Sequence, residues 1–330
     1  MKKVTLGRSG LEVSRIAYGT GPLGGGMGHF DEAAATASVR HALDVGINLF
    51  DTGRVYGRAE ELLGKTLGAE LRRDRDSIVI ATKCGLRPSG SDNPGDPGIT
   101  RDSSPAAIRS DLETSLSTLG LDHVDILQIH WPDPMVPLAE VSGTLAELRD
   151  EGKIRHIGVS NFTAQQLAEF DAGAAVAETS QPGFSMLNRG PAQDDLPYCA
   201  QHDVGVLVYG PLAHGLLSGA GYDPSRVFGE FDWRRNHPFF QPETMTTNQQ
   251  VVGRLEAFAA ERGNTVAQLA IAWTLAQPGV HVAILGTSKV AHIDAALPAD
   301  DIELSEADLA EIDAILADAI AIPFFQVEDM

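Results

Sequence analysis

NLFDTGRVYG (48–57), IVIATKC (78–84) and VDILQIHWP (124–132) decide the fold, because each is an apolar run that ends in a polar group. Each reads as a strand, and the text between them reads as helix with short connections. That alternation argues for parallel βαβ units. If the strands run parallel, the polar groups at or just past their ends, Asp51, Tyr56, Lys83 and His130, share one rim.

Working outward, further strands are expected near 15–18, 47–50, 77–82, 154–159, 177–181, 205–209 and 281–285, which with 124–129 makes eight. Amphipathic stretches lie between them: DEAAATASVRHALDVG, AEELLGKTLG, SPAAIRSDLETSLSTLG, LAEVSGTLAELRDEG, TAQQLAEFDAG and TVAQLAIAWTLAQ. In the third of these, Ile108, Leu112, Leu116 and Leu119 recur at helical spacing, with Pro105 at the start and Gly120 at the exit. Eight strands alternating with amphipathic stretches predict an α/β fold, a (β/α)8 TIM barrel. The chain has 330 residues, and such barrels often exceed the usual domain length as one unit, so residues 1–330 are read as a single domain. VTLGRSGLEV is expected to form an N-terminal β-hairpin turning at Ser9 and Gly10 and closing the barrel's bottom.

Active sites of such barrels lie at the C-terminal face, on the βα loops. Two connections there are long: 85–103, rich in Gly, Pro, Ser and Asp, and 218–247. The second carries Tyr222, Phe228, Phe231, Trp233, Phe239 and Phe240, which is aromatic for a linker and reads as a lid. Gly19, Gly21 and Gly24 satisfy G-x-G-x-x-G, but Pro22 lies inside it and no helix opens until about Asp31. The strand–turn–helix context of a dinucleotide fingerprint is missing, so the stretch reads as the barrel's first βα loop.

Taken singly, an Asp after a strand is commonly a turn residue, a Tyr packs, and a strand-end Lys is solvated. Four together at one rim describe proton transfer. A phenol beside an ammonium has its anion favoured by up to about 4 kcal/mol at an effective permittivity near 20. The expectation is therefore that Lys83 lowers the Tyr56 pKa, that Asp51 keeps Lys83 charged, and that His130 orients a carbonyl oxygen. The set supplies a proton and no hydride, so a nicotinamide cofactor is implied.

A net charge of −20 argues against nucleic acid or anionic membrane surfaces as partners. There is no 18-residue apolar run and no signal-peptide core in MKKVTLGRSG, which points to a cytoplasmic location. Cys84 and Cys199 are too few for a disulfide framework, and the ten histidines lack HExxH or paired-ligand spacing, so no metal is expected. Both thiols read as reduced; Cys84 reads as buried and inert.

The sequence resembles the aldo-keto reductase family. The resemblance is carried by LGRSGLEVSRIAYGTGPLGG, FDTGRVYG with AEELLGKTL behind it, ATK, LQIHWPDP, GKIRHIGVSNF, YGPLAHGLLSG and ILGTSK, in order from about residue 4 to 293. It implies Asp51, Tyr56, Lys83 and His130 as the catalytic set and an NADPH cofactor, with NADH as the lesser choice. By position it assigns Gly19, Thr20 and Asp51 to the cofactor cleft. Ser160, Asn161 and Gln181 fall to the nicotinamide carboxamide, and Phe184 to stacking on its ring, where the family usually has Tyr.

The resemblance further implies that the loop of Tyr209, Gly210, Pro211, Leu212, Gly215, Leu217 and Ser218 contacts the pyrophosphate, with Gly210 replacing a common Ser. Gly286, Thr287, Ser288 and Lys289 would hold the adenosine phosphate; Lys289 and Ser288 favour a 2′-phosphate. His292 stands where Gln or Arg is common, and Ala295 and Ala296 replace a Glu-Asn pair that reads adenine. The implied substrate is a small carbonyl compound bordered by residues 24–27, Trp131 and the 218–247 loop. The implied assembly is a monomer or small homo-oligomer. An NAD-dependent sugar or polyol dehydrogenase and a cofactor-binding regulatory protein, like the potassium-channel β subunits, remain alternatives.

Overall fold

The computed structural model describes residues 1–24, 31–88, 98–220 and 237–323. The chain opens with a hairpin of β1 (Lys3–Thr5) and β2 (Glu12–Ser14), paired through Val4 and Val13. Eight strands follow as a closed parallel barrel: β3 (Ile16–Gly19), β4 (Leu49–Asp51), β5 (Val79–Cys84), β8 (Val124–Ile129), β9 (Ile154–Ser160), β10 (Thr179–Gln181), β11 (Gly205–Tyr209) and β12 (Val282–Gly286). The fold is thus the (β/α)8 barrel that the strand count predicts. The skipped pair, β6 (Leu86–Pro88) and β7 (Ile99–Arg101), forms a small antiparallel hairpin within the first long connection.

Helices cover the outside: α1 (Glu32–Asp44), α2 (Ala59–Arg73), α3 (Pro105–Leu119), α4 (Leu138–Asp150), α5 (Ala164–Asp171), α6 (Asp195–Gln201), α7 (Pro242–Glu261), α8 (Val266–Ala276), α9 (Val290–Ala296) and α10 (Glu306–Leu316). Their starts follow local chemistry. Asp31 accepts from the amides of Ala33 and Ala34, Ser104 from that of Ala107, and Thr163 and Thr265 each close a capping box with a Gln three residues on.

Two apolar layers result. The larger lies between strands and helices and includes Leu63, Leu112, Leu145, Leu167, Phe184 and Trp273. The smaller fills the barrel with Ala17, Leu49, Val79, Ala81, Ile126, Leu207, Val282 and Ile284, and is closed by Leu6 and Val13 of the hairpin segment. The hairpin therefore plugs the bottom, and the polar layer above it is forced toward the C-terminal face.

Part of the expected lid is helix: α7 starts at Pro242, inside the 218–247 segment. Tyr222, Phe228, Phe231 and Trp233, with the rest of 221–236 and the side chain of Phe239, lie outside the described residues, as do residues 25–27 of the expected substrate rim. Phe240 is buried. The glycine-rich stretch forms a 3-10 turn over Gly21–Gly24, and α1 opens only after Asp31, as the rejection of a dinucleotide fingerprint requires. Cys84 and Cys199 are free and buried; burial pushes the Cys199 thiol up to about 12 and raises the Cys84 thiol as well. Among the described residues no helix is long and apolar enough to cross a membrane.

Candidate active site

Asp51 ends β4, Lys83 lies on β5, and His130 directly follows β8, its amide extending the ladder to the Cys84 carbonyl. Tyr56 sits in the tight turn after β4, where its amide donates to the Gly53 carbonyl and its own carbonyl receives the Ala59 amide that opens α2. The four groups meet at one rim, as parallel strands demand.

Lys83 Nζ donates to both Asp51 oxygens, at 2.7 and 2.8 Å, and to the Thr52 carbonyl at 2.8 Å. It stands 5.0 Å from the centre of the Tyr56 ring. The Tyr56 hydroxyl lies 3.4 Å from His130 Nε2, and the two rings meet edge to face. Asp51, Lys83 and His130 are 4%, 1% and 9% exposed, so the ion pair acts in a low-dielectric setting.

Burial tends to lower the Lys83 pKa, but the Asp51 carboxylate, with a smaller pull from Tyr56, outweighs it and holds the ammonium above its ordinary range. Burial, reinforced by the Lys83 charge, pushes His130 well below its ordinary value. Its imidazole is neutral at pH 7. For Tyr56 the sequence-based expectation fails: burial raises the phenol, Lys83 lowers it by less, and Asp51 adds to the rise. The main cause is burial of the phenol, which disfavours its anion; the Asp51 carboxylate then offsets part of the pull that the Lys83 ammonium exerts. Tyr56 is therefore a phenol at neutral pH, poised to give a proton.

The cofactor candidates form one wall of the same rim. Ser160 Oγ donates to the Gln181 carbonyl, and Asn161, in a left-handed conformation with φ 62°, donates from Nδ2 to the His130 carbonyl and Ser160 Oγ. Asn161 Oδ1 accepts from the Tyr209 hydroxyl at 2.9 Å. Phe184 requires correction: it is fully buried and stacks on Trp273 of α8, ring centres 5.4 Å apart. Its ring packs in the outer apolar layer and cannot meet a ligand at the rim; Tyr209, half-buried, is the aromatic bordering the site.

After β11 the chain passes through Gly210, Ala213, His214, Gly215 and Gly219, all at positive φ. Two of these are not glycine, and such strain is kept where backbone must take a special shape. Gly210, Leu212, Gly215 and Ser218 stay partly exposed along this curl, while Pro211 and Leu217 anchor it in the interior. Past β12, Gly286 and Lys289 are exposed and Ser288 half-exposed. Buried Thr287 is held by its carbonyl to the Tyr18 hydroxyl and by Oγ1 to His292 Nδ1.

Gly19 and Thr20 cap β3, and the Thr20 hydroxyl is buried with no hydrogen-bond partner among the described residues, which fits a site completed by a ligand. Gln128, buried beside Asp51, was missed by the sequence reading. Strand alternation was the available signal, since it lies two residues before His130 on the same face.

A buried Lys–Asp pair beside a protonated phenol and a neutral imidazole is a set suited to proton transfer. The profile of the Aldo/keto reductase family matches residues 15–317. The chain belongs to that family. This aldo-keto reductase is 35% identical over 327 residues to aldo-keto reductase YhdN of Bacillus subtilis, covering 98% of this chain and 96% of that protein. It is 32% identical to the NADH-specific methylglyoxal reductase of Escherichia coli, over 93% of this chain and 96% of that one. Among solved structures, the glycerol dehydrogenase AKR11B4 of Gluconobacter oxydans superposes with a TM-score of 0.83 at 35% identity, covering 96% and 95% of the two chains. The protein is an oxidoreductase that uses a nicotinamide cofactor.

Proposed function

We propose that this aldo-keto reductase reduces an aldehyde or ketone to the alcohol with NADPH, Tyr56 delivering the proton. The observation that carries the reading is the Tyr56 phenol, kept protonated by burial and 3.4 Å from a neutral His130. When bound, the cofactor supplies the hydride. Tyr56 offers its O–H and His130 its N–H to the substrate oxygen, Tyr56 gives up its proton as negative charge grows there, and Lys83 steadies the phenolate that remains. Asp51 holds Lys83 in place.

In this reading Ser160, Asn161 and Gln181 hold the nicotinamide carboxamide, and Tyr209 packs on the ring. The curl around Gly210, Pro211, Leu212, Gly215, Leu217 and Ser218 cradles the pyrophosphate. Thr287, Ser288, Lys289 and His292 take the adenosine phosphate. Lys289 supports NADPH over NADH, because its ammonium has no carboxylate partner among the described residues. The protein works as a single cytoplasmic barrel domain, monomeric or a small homo-oligomer, on a small carbonyl substrate.

A second reading, NAD-dependent oxidation of a sugar or polyol, draws support from the likeness to a glycerol dehydrogenase and from Ala295 and Ala296 at the adenine end. Rates with NAD and NADP in both directions separate the two. The primary test is NADPH oxidation with 4-nitrobenzaldehyde: Tyr56→Phe should lose about 10²- to 10⁴-fold in kcat while still quenching fluorescence on binding NADPH. Undiminished turnover by that variant would refute the mechanism.

A further inference from the structure

Four side chains make the barrel's upper polar layer: Asp51, Lys83, Gln128 and Gln181, none more than 4% exposed. Gln181 Nε2 lies 2.7 Å from Asp51 Oδ2 and 3.3 Å from Gln128 Oε1. A carboxylate and an amide carbonyl only accept hydrogen bonds, so both neighbours must face the NH2 end of Gln181. The orientation of that amide is thereby fixed. An NH2 group carries two hydrogens, and both are engaged; Gln181 Oε1 keeps no partner among the described residues. Gln128 is oriented by the same logic, since its own Nε2 lies 3.4 Å from Asp51 Oδ2.

The neighbouring strand is shaped to admit Gln128. Gly158 of β9 stands opposite it in register. A Cβ at Gly158 would come within 2.7 Å of Gln128 Cγ and 2.4 Å of Thr179 Oγ1. The glycine leaves the space in which the Gln128 side chain turns toward Gln181 and Asp51.

We propose that Gln128 is a positioning residue for cofactor recognition: with Asp51 it takes both amide hydrogens of Gln181, so that Gln181 offers a carbonyl oxygen to the N–H of a nicotinamide carboxamide. The proposal rests on the nicotinamide reading above. Gln128 touches no ligand itself; it sets which end of Gln181 the ligand meets.

The test is calorimetric binding of NADP+, or NAD+ if that binds more tightly, and of the matching 3-acetylpyridine analogue. That analogue carries a methyl group where the carboxamide has NH2. Wild type should prefer the carboxamide roughly 5- to 10-fold, the span of one hydrogen bond. Gln181→Met should abolish the preference. Gln128→Met should reduce it by weakening only the carboxamide ligand, and the double variant should be no worse than Gln181→Met alone.

Equal weakening of both ligands in Gln128→Met, as general damage to the site would give, overturns the proposal, as does an unchanged preference. Equal affinity of wild type for both ligands also overturns it and needs no variant. Failure of wild type to bind either natural dinucleotide would instead remove the nicotinamide reading, and the proposal with it.

Discussion

In the proposed mechanism Tyr56 holds its proton for reduction and lacks it for oxidation, so the direction of its pKa shift predicts two opposite pH profiles. Burial raises the phenol above its ordinary value of about 10. The acid form then persists across neutral pH, and kcat/KM for reduction should stay level from pH 7 to about 9, falling only in stronger alkali. Oxidation of the alcohol should climb over the same range. His130, held neutral, adds no titration there. A reduction profile that already falls between pH 7 and 8 would mean that a different group donates. The ion pair beneath makes a separate claim. Lys83→Met leaves the buried Asp51 charge without its counter-ion and should cost about 3–5 kcal/mol in urea unfolding. Adding Asp51→Asn should restore most of that loss, because a neutral amide needs no counter-charge, yet turnover should recover in neither variant. A double variant as unstable as the single one would show that the pair's charge is not what the fold depends on.

Between elements, the placement of Tyr56 depends on the loop after β3 touching the turn after β4. A Cβ on Gly24 would stand 2.5 Å from the Tyr56 carbonyl oxygen and 2.8 Å from its carbon. Backbone cannot yield as a side-chain tip does, so Gly24→Ala should shift Tyr56 and lower kcat by about 10- to 100-fold with the barrel intact by circular dichroism. Wild-type kcat in that variant would show the two loops to be independent. The strands were legible because they recur between amphipathic stretches, and three of them, β4, β5 and β8, are apolar runs that lead into a chemically distinctive group; the helices were legible from their amphipathic spacing. The β6–β7 hairpin was not, since the 85–103 connection that holds it is rich in Gly, Pro, Ser and Asp and reads as loop. The start of α7 was hidden because Gln241, its cap, makes no side-chain capping bond and follows the aromatic segment directly. Phe184 was misplaced for a related reason: the pairing with β11 continues past Gln181 through Gly183 and Phe184, so alternation sends the ring three residues on to the opposite face, which placement by resemblance did not take into account. Neighbour counting likewise put Lys83 beside Tyr56 but omitted the desolvation that outweighs it.

Across the whole molecule the net charge of −20 opposes the approach of an anionic dinucleotide, even though the proposed cofactor site includes an exposed Lys289. The two effects act over different distances. At about 10 mM salt the screening length is about 30 Å, long enough for most of the molecule's acidic surface to repel the incoming ligand; at about 150 mM it is about 8 Å, and only groups close to the site are felt. The association rate constant for NADPH, measured by stopped-flow fluorescence, should therefore rise with salt over that range, the reverse of the behaviour of an enzyme that steers its cofactor by a basic surface. Lys289→Ala should act chiefly on dissociation, because its contribution is a short contact made after arrival. An association rate that falls with salt would mean that the local basic groups outweigh the global charge, and the approach to the site would then have to be argued from Lys289 and its neighbours alone.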